Sequence, residues 1–366
     1  MRDLKICFYI SDYGFGHASR DIAVIRALQE RCSARVFVKT DGPHWLVARS
    51  LPGCTVIRTR NDIGLVSKGP KAALDRDATW HELESWIDSW NDYVLREKAF
   101  CLEQDIDVIL SDISPQPFIV ADEIGIPGIG ISNFTWHFIF HHLFGSNPAT
   151  DRLKQAYSLG SEALMLPFNE EMGQFKRRRT MGLVSRSITE DRLHLRRRLG
   201  VPEGDLLVYL GLGRSLDPSL LKGMKDLSTS GVRFLVSSNL TVPLKNSIRI
   251  PAQETETQNY IAMCDLVASK TGYSTVSEAI RARVSMILFM RDGFKEDRLL
   301  ADGVEKMGIG HTLSEDAFIE GGWIEGLADA GRESLKAYKT AYDGLDGRFK
   351  RDGAAEAVDA IMEAVL

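Results

Sequence analysis

A histidine where a strand hands over to a helix is well placed to move a proton, and the stretch Ser11 to Arg20, Ser-Asp-Tyr-Gly-Phe-Gly-His-Ala-Ser-Arg, offers one at His17. Imidazole is the side chain that titrates nearest neutral pH. Gly14 and Gly16 let the backbone turn sharply and leave amides uncovered, and a helix start adds free N–H groups and the positive end of its dipole. The bland alternative is a cap or turn histidine whose ring is bonded to backbone.

A second stretch points to anion binding. In Lys270-Thr271-Gly272-Tyr273-Ser274-Thr275-Val276-Ser277-Glu278 a glycine turn leads into a helix whose first-turn amides can hold a diphosphate. Glu278, about one turn in, can accept both hydroxyls of a ribose. The same Thr275-Val276-Ser277-Glu278 also satisfies the Ser/Thr-x-x-Glu capping box, which needs no ligand. Gly211-Leu212-Gly213-Arg214 faces the same edge, with further amides and a guanidinium suited to phosphate oxygens. Glu296-Asp297 supplies acceptors for sugar hydroxyls.

These motifs need strands before them and helices after them, and the pattern supplies both. Leu4 to Ile10 reads as a strand, and Ile22, Ile25 and Leu28 recur three apart as in a helix. Arg35 to Val38, Thr55 to Ile57, Val108 to Asp112 and Gly128 to Ser132 read as further strands. In a parallel sheet the last two deliver Asp112, Asn133 and Trp136 to the same edge as His17. Asp112 can equally cap the next helix. Trp86, Trp90 and Tyr93 lie at i, i+4 and i+7 of one long helical segment, Asp77 to Gln104, as core or as an aromatic wall for an acceptor. His137 and His141, one helical turn apart, lack a supporting carboxylate, so no metal is expected. The spacings Asp75-Arg76-Asp77 and Asp105-Ile106-Asp107 read as surface pairs.

The alternation then repeats from Leu206, through Val232 to Val236, Asp265 to Ser269 and Met286 to Phe289, with a helix expected from Asp217-Pro218. Two Rossmann-like α/β domains facing across a cleft follow: an N-terminal acceptor domain over 1–160, a linker over 161–190, a nucleotide-sugar domain over 191–345, and a terminal helix in 346–366 that can pack back on the first domain. The run Lys176-Arg177-Arg178-Arg179 marks the linker, as a solvated face or a contact to an anionic membrane.

Length and composition agree. At 366 residues the chain suits two domains, and a net charge of −5 does not favour nucleic acid. Five widely spaced cysteines without a C-x-x-C pair read as reduced thiols of a cytoplasmic protein. No apolar run approaches the ~20 residues that cross a bilayer.

The combination resembles the GT-B glycosyltransferases, most nearly the branch that includes the lipid-linked N-acetylglucosaminyl transferase of peptidoglycan synthesis. There a Gly-x-Gly-His loop opens the acceptor domain and a Ser-Gly-x-x-Thr-x-x-Glu element binds the nucleotide of a uridine-diphosphate sugar; here these match Gly14 to His17 and Thr271 to Glu278. Tyr13 to Arg20 and Ser132 to Trp136 also resemble the GT-B-like, non-kinase half of arabinokinases. Lys270-Thr271 replaces a small residue and Ser, and Glu296-Asp297 replaces an Asp-Gln or Gln-Gln pair.

The resemblance implies a metal-independent hexosyltransferase without a resident cofactor. An acceptor hydroxyl, on a glycan, glycolipid or small molecule, attacks the anomeric carbon of a nucleoside-diphosphate sugar, His17 is general base, and the amides at Gly272 to Thr275 with Arg214 or Lys270 meet the departing diphosphate. Three rivals use the same frame: a nucleotide-sugar 2-epimerase, a sensor that binds without turnover, and a dinucleotide-dependent oxidoreductase. The last finds Ser19 where its third glycine belongs.

Overall fold

The computed structural model describes residues 3–69, 73–212, 231–237, 246–291, 293–330 and 335–365. Gly213, Arg214 and the helix expected from Asp217-Pro218 lie outside them. The chain divides into two compact units: Met1–Val66 with Leu74–Ser185 and Gly347–Leu366, and Ser67–Ala73 with Arg186–Asp346.

Strands come in chain order as β1 (Leu4–Ile10), β2 (Ala34–Lys39), β3 (Thr55–Ile57), the paired β4 (Ser67–Lys68) and β5 (Ala73–Leu74), β6 (Val108–Asp112), β7 (Gly128–Ser132), β8 (Glu162–Met165) and β9 (Arg178–Thr180). Apart from β4 and β5 they form one sheet in the order β3-β2-β1-β6-β7-β8-β9, parallel throughout. Helices must cover both faces of a parallel sheet, so its central strands read as nearly unbroken apolar runs. Ile6 to Ile10 and Val108 to Leu110 are accordingly buried. With Ile10 opposite Asp112 in the register of β1 and β6, the chain after β1 and the end of β6 share one edge. Asn61 secures that edge by donating to the carbonyls of Ile10 and Lys39 at 2.9 and 2.8 Å.

The second unit repeats the plan with β10 (Leu206–Gly211), β11 (Val232–Val236), β12 (Ser247–Arg249), β13 (Leu266–Lys270), β14 (Ser285–Phe289) and β15 (Gly310–Leu313). Their order is β12-β11-β10-β13-β14-β15, again parallel. Leu206, Val208 and Leu210 sit in its core with Phe234 and Phe289. All five cysteines are free, and among the described residues no helix is long and apolar enough to cross a membrane.

The structure corrects two expectations. The stretch 161–190 is not a linker, because it carries β8 and β9 of the first sheet, and the chain passes to the second unit at Arg186. The arginine run hides an edge strand: Arg178 is exposed, Arg179 pairs with Glu162 and Glu363, and such charges keep an edge from pairing with other chains. The segment Asp77 to Gln104 is likewise two helices, Arg76–Asp88 and Trp90–Gln104, separated at Ser89. Trp86 and Trp90 meet edge to face at 5.3 Å in the core, so they form no open wall.

The last helix, Gly353–Val365, packs on Phe15–Arg31 through buried Ala357, Val358 and Ile361. Ile361→Ala is expected to destabilise the first unit by about 2–4 kcal/mol. Asp359→Ala, which removes an exposed pair with Arg31, should cost below about 1 kcal/mol. Urea midpoints of the two variants measure the contrast.

Candidate functional site

In the first unit the site grows from the turn after β1. Gly14 has φ 86°, a region that favours glycine, and stands immediately before the helix Phe15–Arg31. That helix carries His17 and Arg20 three residues apart, on one face. His17 Nδ1 lies 3.0 Å from Asp112 Oδ1 at the end of β6 and 2.8 Å from Arg20 Nη2. The ring is thus bonded to side chains, as a turn histidine's is not. Arg20, only 2% exposed, spends its guanidinium on Asp112 through Nε at 2.6 Å and through Nη2, on Asn133 Oδ1 at 2.9 Å and on Ser132 Oγ at 2.9 Å. Burial by itself would raise the Asp112 carboxyl, but Arg20 and then His17 hold it down at about 2. Asp112 is therefore a fixed anion beside His17, and the helix Gln116–Ile124 has no side-chain cap.

The backbone after Asp112 is strained into place. Ile113 has φ 62°, a left-handed conformation that a β-branched residue seldom adopts, and such strain persists where surroundings enforce it. The Tyr157 hydroxyl enforces it here, donating to the Ile113 carbonyl while accepting from the Trp136 N–H at 2.9 Å.

The structure also brings in carboxylates that the motif did not single out. Asp12 accepts from the amides of Asp41, Gly42 and Asn61 at 2.6, 3.1 and 2.6 Å. Asp62 accepts from Trp136 Nε1 at 3.0 Å and Ser114 Oγ at 3.2 Å. Burial and then the Asp12 charge push Asp62 up to about 6, against bonds from Trp136 and Ser11 and the pull of His17. Their only sequence signal was position, just after β1 and β3.

Trp136 and Asn133, expected on the acceptor side, are both buried. Asn133 holds Arg20, while the Trp136 ring is stacked on Phe140 and flanked by Phe134 and Tyr13. The aromatic groups left reachable near Gly14 and Gly16 are partly exposed Tyr13 and Phe15, with Trp45 at 43% exposure against Phe15. Gly64, at φ +66°, makes room for Tyr13, since a Cβ there would lie 2.0 Å from the ring.

In the second unit Gly272 precedes the helix Tyr273–Ala282, so Thr275 is inside the helix and the capping-box role does not arise. Glu278 is buried and takes Nε and Nη2 of Arg186 on one oxygen, Oε1, at 2.9 and 2.8 Å. Burial raises its carboxyl, and Arg186 opposes the rise. Thr271 is a clip rather than a ligand group, because its hydroxyl donates to the Phe289 carbonyl at 2.8 Å. Asp297 is likewise spent: fully buried, it holds the Arg291 amide and guanidinium, while Glu296 beside it is partly exposed. Ser274 and Thr275 are partly exposed in the first turn. Lys270 is partly buried, with Nζ 3.6 Å from where a Gly272 Cβ would be. Burial and then the Arg291 charge lower its ammonium to about 8.

Among the described residues no three His, Cys, Asp or Glu gather as a metal would need. His137 packs on His141 and its Nδ1 meets Gln174, while Asp75 caps a helix and Asp107 accepts from the Lys5 amide.

No protein-family model matches the chain. It is 25% identical over 362 residues to an L-arabinokinase of Arabidopsis thaliana, covering 94% of this chain and 33% of that protein, so it spans about a third of the relative's length. Among solved structures, the glycotransferase of kitacinnamycin matches at a TM-score of 0.69 and 16% identity over the whole of both chains. Arabidopsis thaliana UGT89C1 complexed with quercetin matches at 0.67 and 16%, again over both whole chains, and the same protein complexed with UDP at 0.64 and 15%. These likenesses, with two parallel six- and seven-stranded sheets, show that the chain has the fold of the GT-B glycosyltransferases.

Proposed function

We propose that the protein transfers a sugar from a nucleoside-diphosphate sugar, of uridine type, to an acceptor hydroxyl. The observation that carries the reading is the His17–Asp112 pair, locked by Arg20 at the carboxyl edge of the first sheet. Open α/β sheets bind ligands at that edge. With the Nδ1 proton assigned to the carboxylate side from the hydrogen-bond network, Nε2 is the acceptor nitrogen. It takes the proton of the acceptor hydroxyl as oxygen attacks the anomeric carbon and the bond to the diphosphate breaks, releasing the nucleoside diphosphate, and Asp112 stabilises the imidazolium. The partly exposed rings of Tyr13, Phe15 and Trp45 suit an acceptor with an apolar or sugar face.

At the donor end, the helix Tyr273–Ala282 directs the positive end of its dipole at the diphosphate, and Lys270 adds a cation. No metal is needed on this reading. Glu278, oriented through one oxygen by Arg186, keeps the other for ribose hydroxyls. The solved relative complexed with UDP supports the nucleobase. The chain need not sit at a membrane for any of these steps.

Ligand binding and turnover separate the parts of the reading. In a thermal-shift panel, uridine diphosphate and its sugars should lead, since ligand at a hundred times its Kd stabilises by ~2.7 kcal/mol. Glu278→Ala should abolish the shift; a variant that responds as the parent does would sink the donor assignment. His17→Ala should keep the shift and lose about 10²–10⁴-fold in acceptor-dependent release of the nucleoside diphosphate. Conversion of the sugar without any acceptor would instead favour the epimerase.

Lys270 gives a pH test. Its ammonium is charged below about 8, so diphosphate binding should weaken as pH rises through that value. The expected loss is about tenfold for a charge-assisted contact, and Lys270→Met should bind weakly with that pH dependence removed.

A further inference from the structure

Four residues after His17, on the same helix face, Asp21 is fully buried, and neither of its carboxylate oxygens has a hydrogen-bond partner among the described residues. The helix face it shares with His17 and Arg20 is the one that meets Asp112, itself fully committed to Arg20 and His17. Two buried carboxylates therefore face one guanidinium. The other charges around this helix are engaged elsewhere: Lys39 of β2 with Glu97, Asp359 with Arg31, and Glu356 with the Gly182 amide.

An isolated buried carboxylate is too costly to keep ionised without a partner. We propose that Asp21 is a positioning residue that stays in its neutral acid form at neutral pH and so adds no second negative charge beside Asp112. Arg20, Asp112, acid Asp21 and neutral His17 then carry no net charge together. Burial, followed by the Asp112 charge, pushes the Asp21 carboxyl well above the ordinary range, with Arg20 opposing. Were Asp21 ionised, the extra negative charge would draw the proton onto the imidazole and remove the base. The proposal rests on His17 being that base, and it assigns Asp21 the task of keeping the Nε2 lone pair available.

Infrared difference spectra of the full chain, labelled with carbon-13 aspartate, test this without turnover. At neutral pH the parent should show the C=O stretch of a buried carboxylic acid that is missing from Asp21→Asn. Absence of that band in the parent overturns the proposal, even if His17 proves to be the base. If the protein turns out not to transfer sugar, the band still decides the protonation of Asp21. In turnover, Asp21→Asn keeps a neutral donor of the same shape and should stay within about threefold of the parent, with the acid limb of its pH profile unmoved. An acid limb displaced to lower pH in Asp21→Asn would show that the parent carries a negative charge there and overturn the assignment.

Discussion

The bond from Arg20 to Asp112 is the constraint on which the first unit's edge depends. Taking two charges out of water costs several kcal/mol per ion, and such a pair survives only when the remaining donors and lone pairs are also satisfied. Arg20 meets that condition by spreading its donors over the end of β6 and the Ser132-Asn133 turn after β7. One side chain thereby fixes two strand ends and one helix start relative to each other. The histidine inherits its orientation from that arrangement. Strain at Ile113 fits the same account, since an unfavourable backbone directly after Asp112 is tolerated where the Tyr157 hydroxyl and the buried pair both hold it.

Much of this was legible in the chain because it is local. The strand, glycine turn and helix around His17 follow from apolar runs and two glycines, and His17, Arg20 and Asp21 share a helix face by spacing alone. Parallel strands buried on both sides announce themselves as unbroken apolar runs, so both sheets could be placed. What spacing cannot show is which distant residue completes a charge. Asp62 reaches Trp136 across 74 positions and Arg186 reaches Glu278 across 92. Neither pairing leaves a periodic trace. Trp136 misled for a related reason: an aromatic residue at a strand end has the same pattern whether it lines a surface or, as here, roofs a core.

The misread stretch 161–190 has a different cause. A strand at the rim of a sheet is short and charged on purpose, so β9, three residues including two arginines, looks like solvated coil. Its partners, Glu162 and Glu363, lie 17 and 184 residues away. The second of these belongs to the returning C-terminal helix. Charge runs therefore carry little domain-boundary information when the opposite charge is supplied from the far end of the chain.

The two sheet edges differ in how much of their electrostatics is closed. Around His17 the charges of Arg20 and Asp112 are buried and committed to each other, so the imidazole sits in a preorganised field that needs no rearrangement when charge develops. Beside Gly272 the balance is left open. Lys270 holds its proton less firmly than an ordinary lysine because burial strips its water and Arg291 repels it, while Asp297 is already bound to Arg291. Such a cation is destabilised wherever no anion accompanies it. A closed edge suits a residue whose protonation must be set in advance; an open edge suits a ligand that brings its own charge and leaves with more of it.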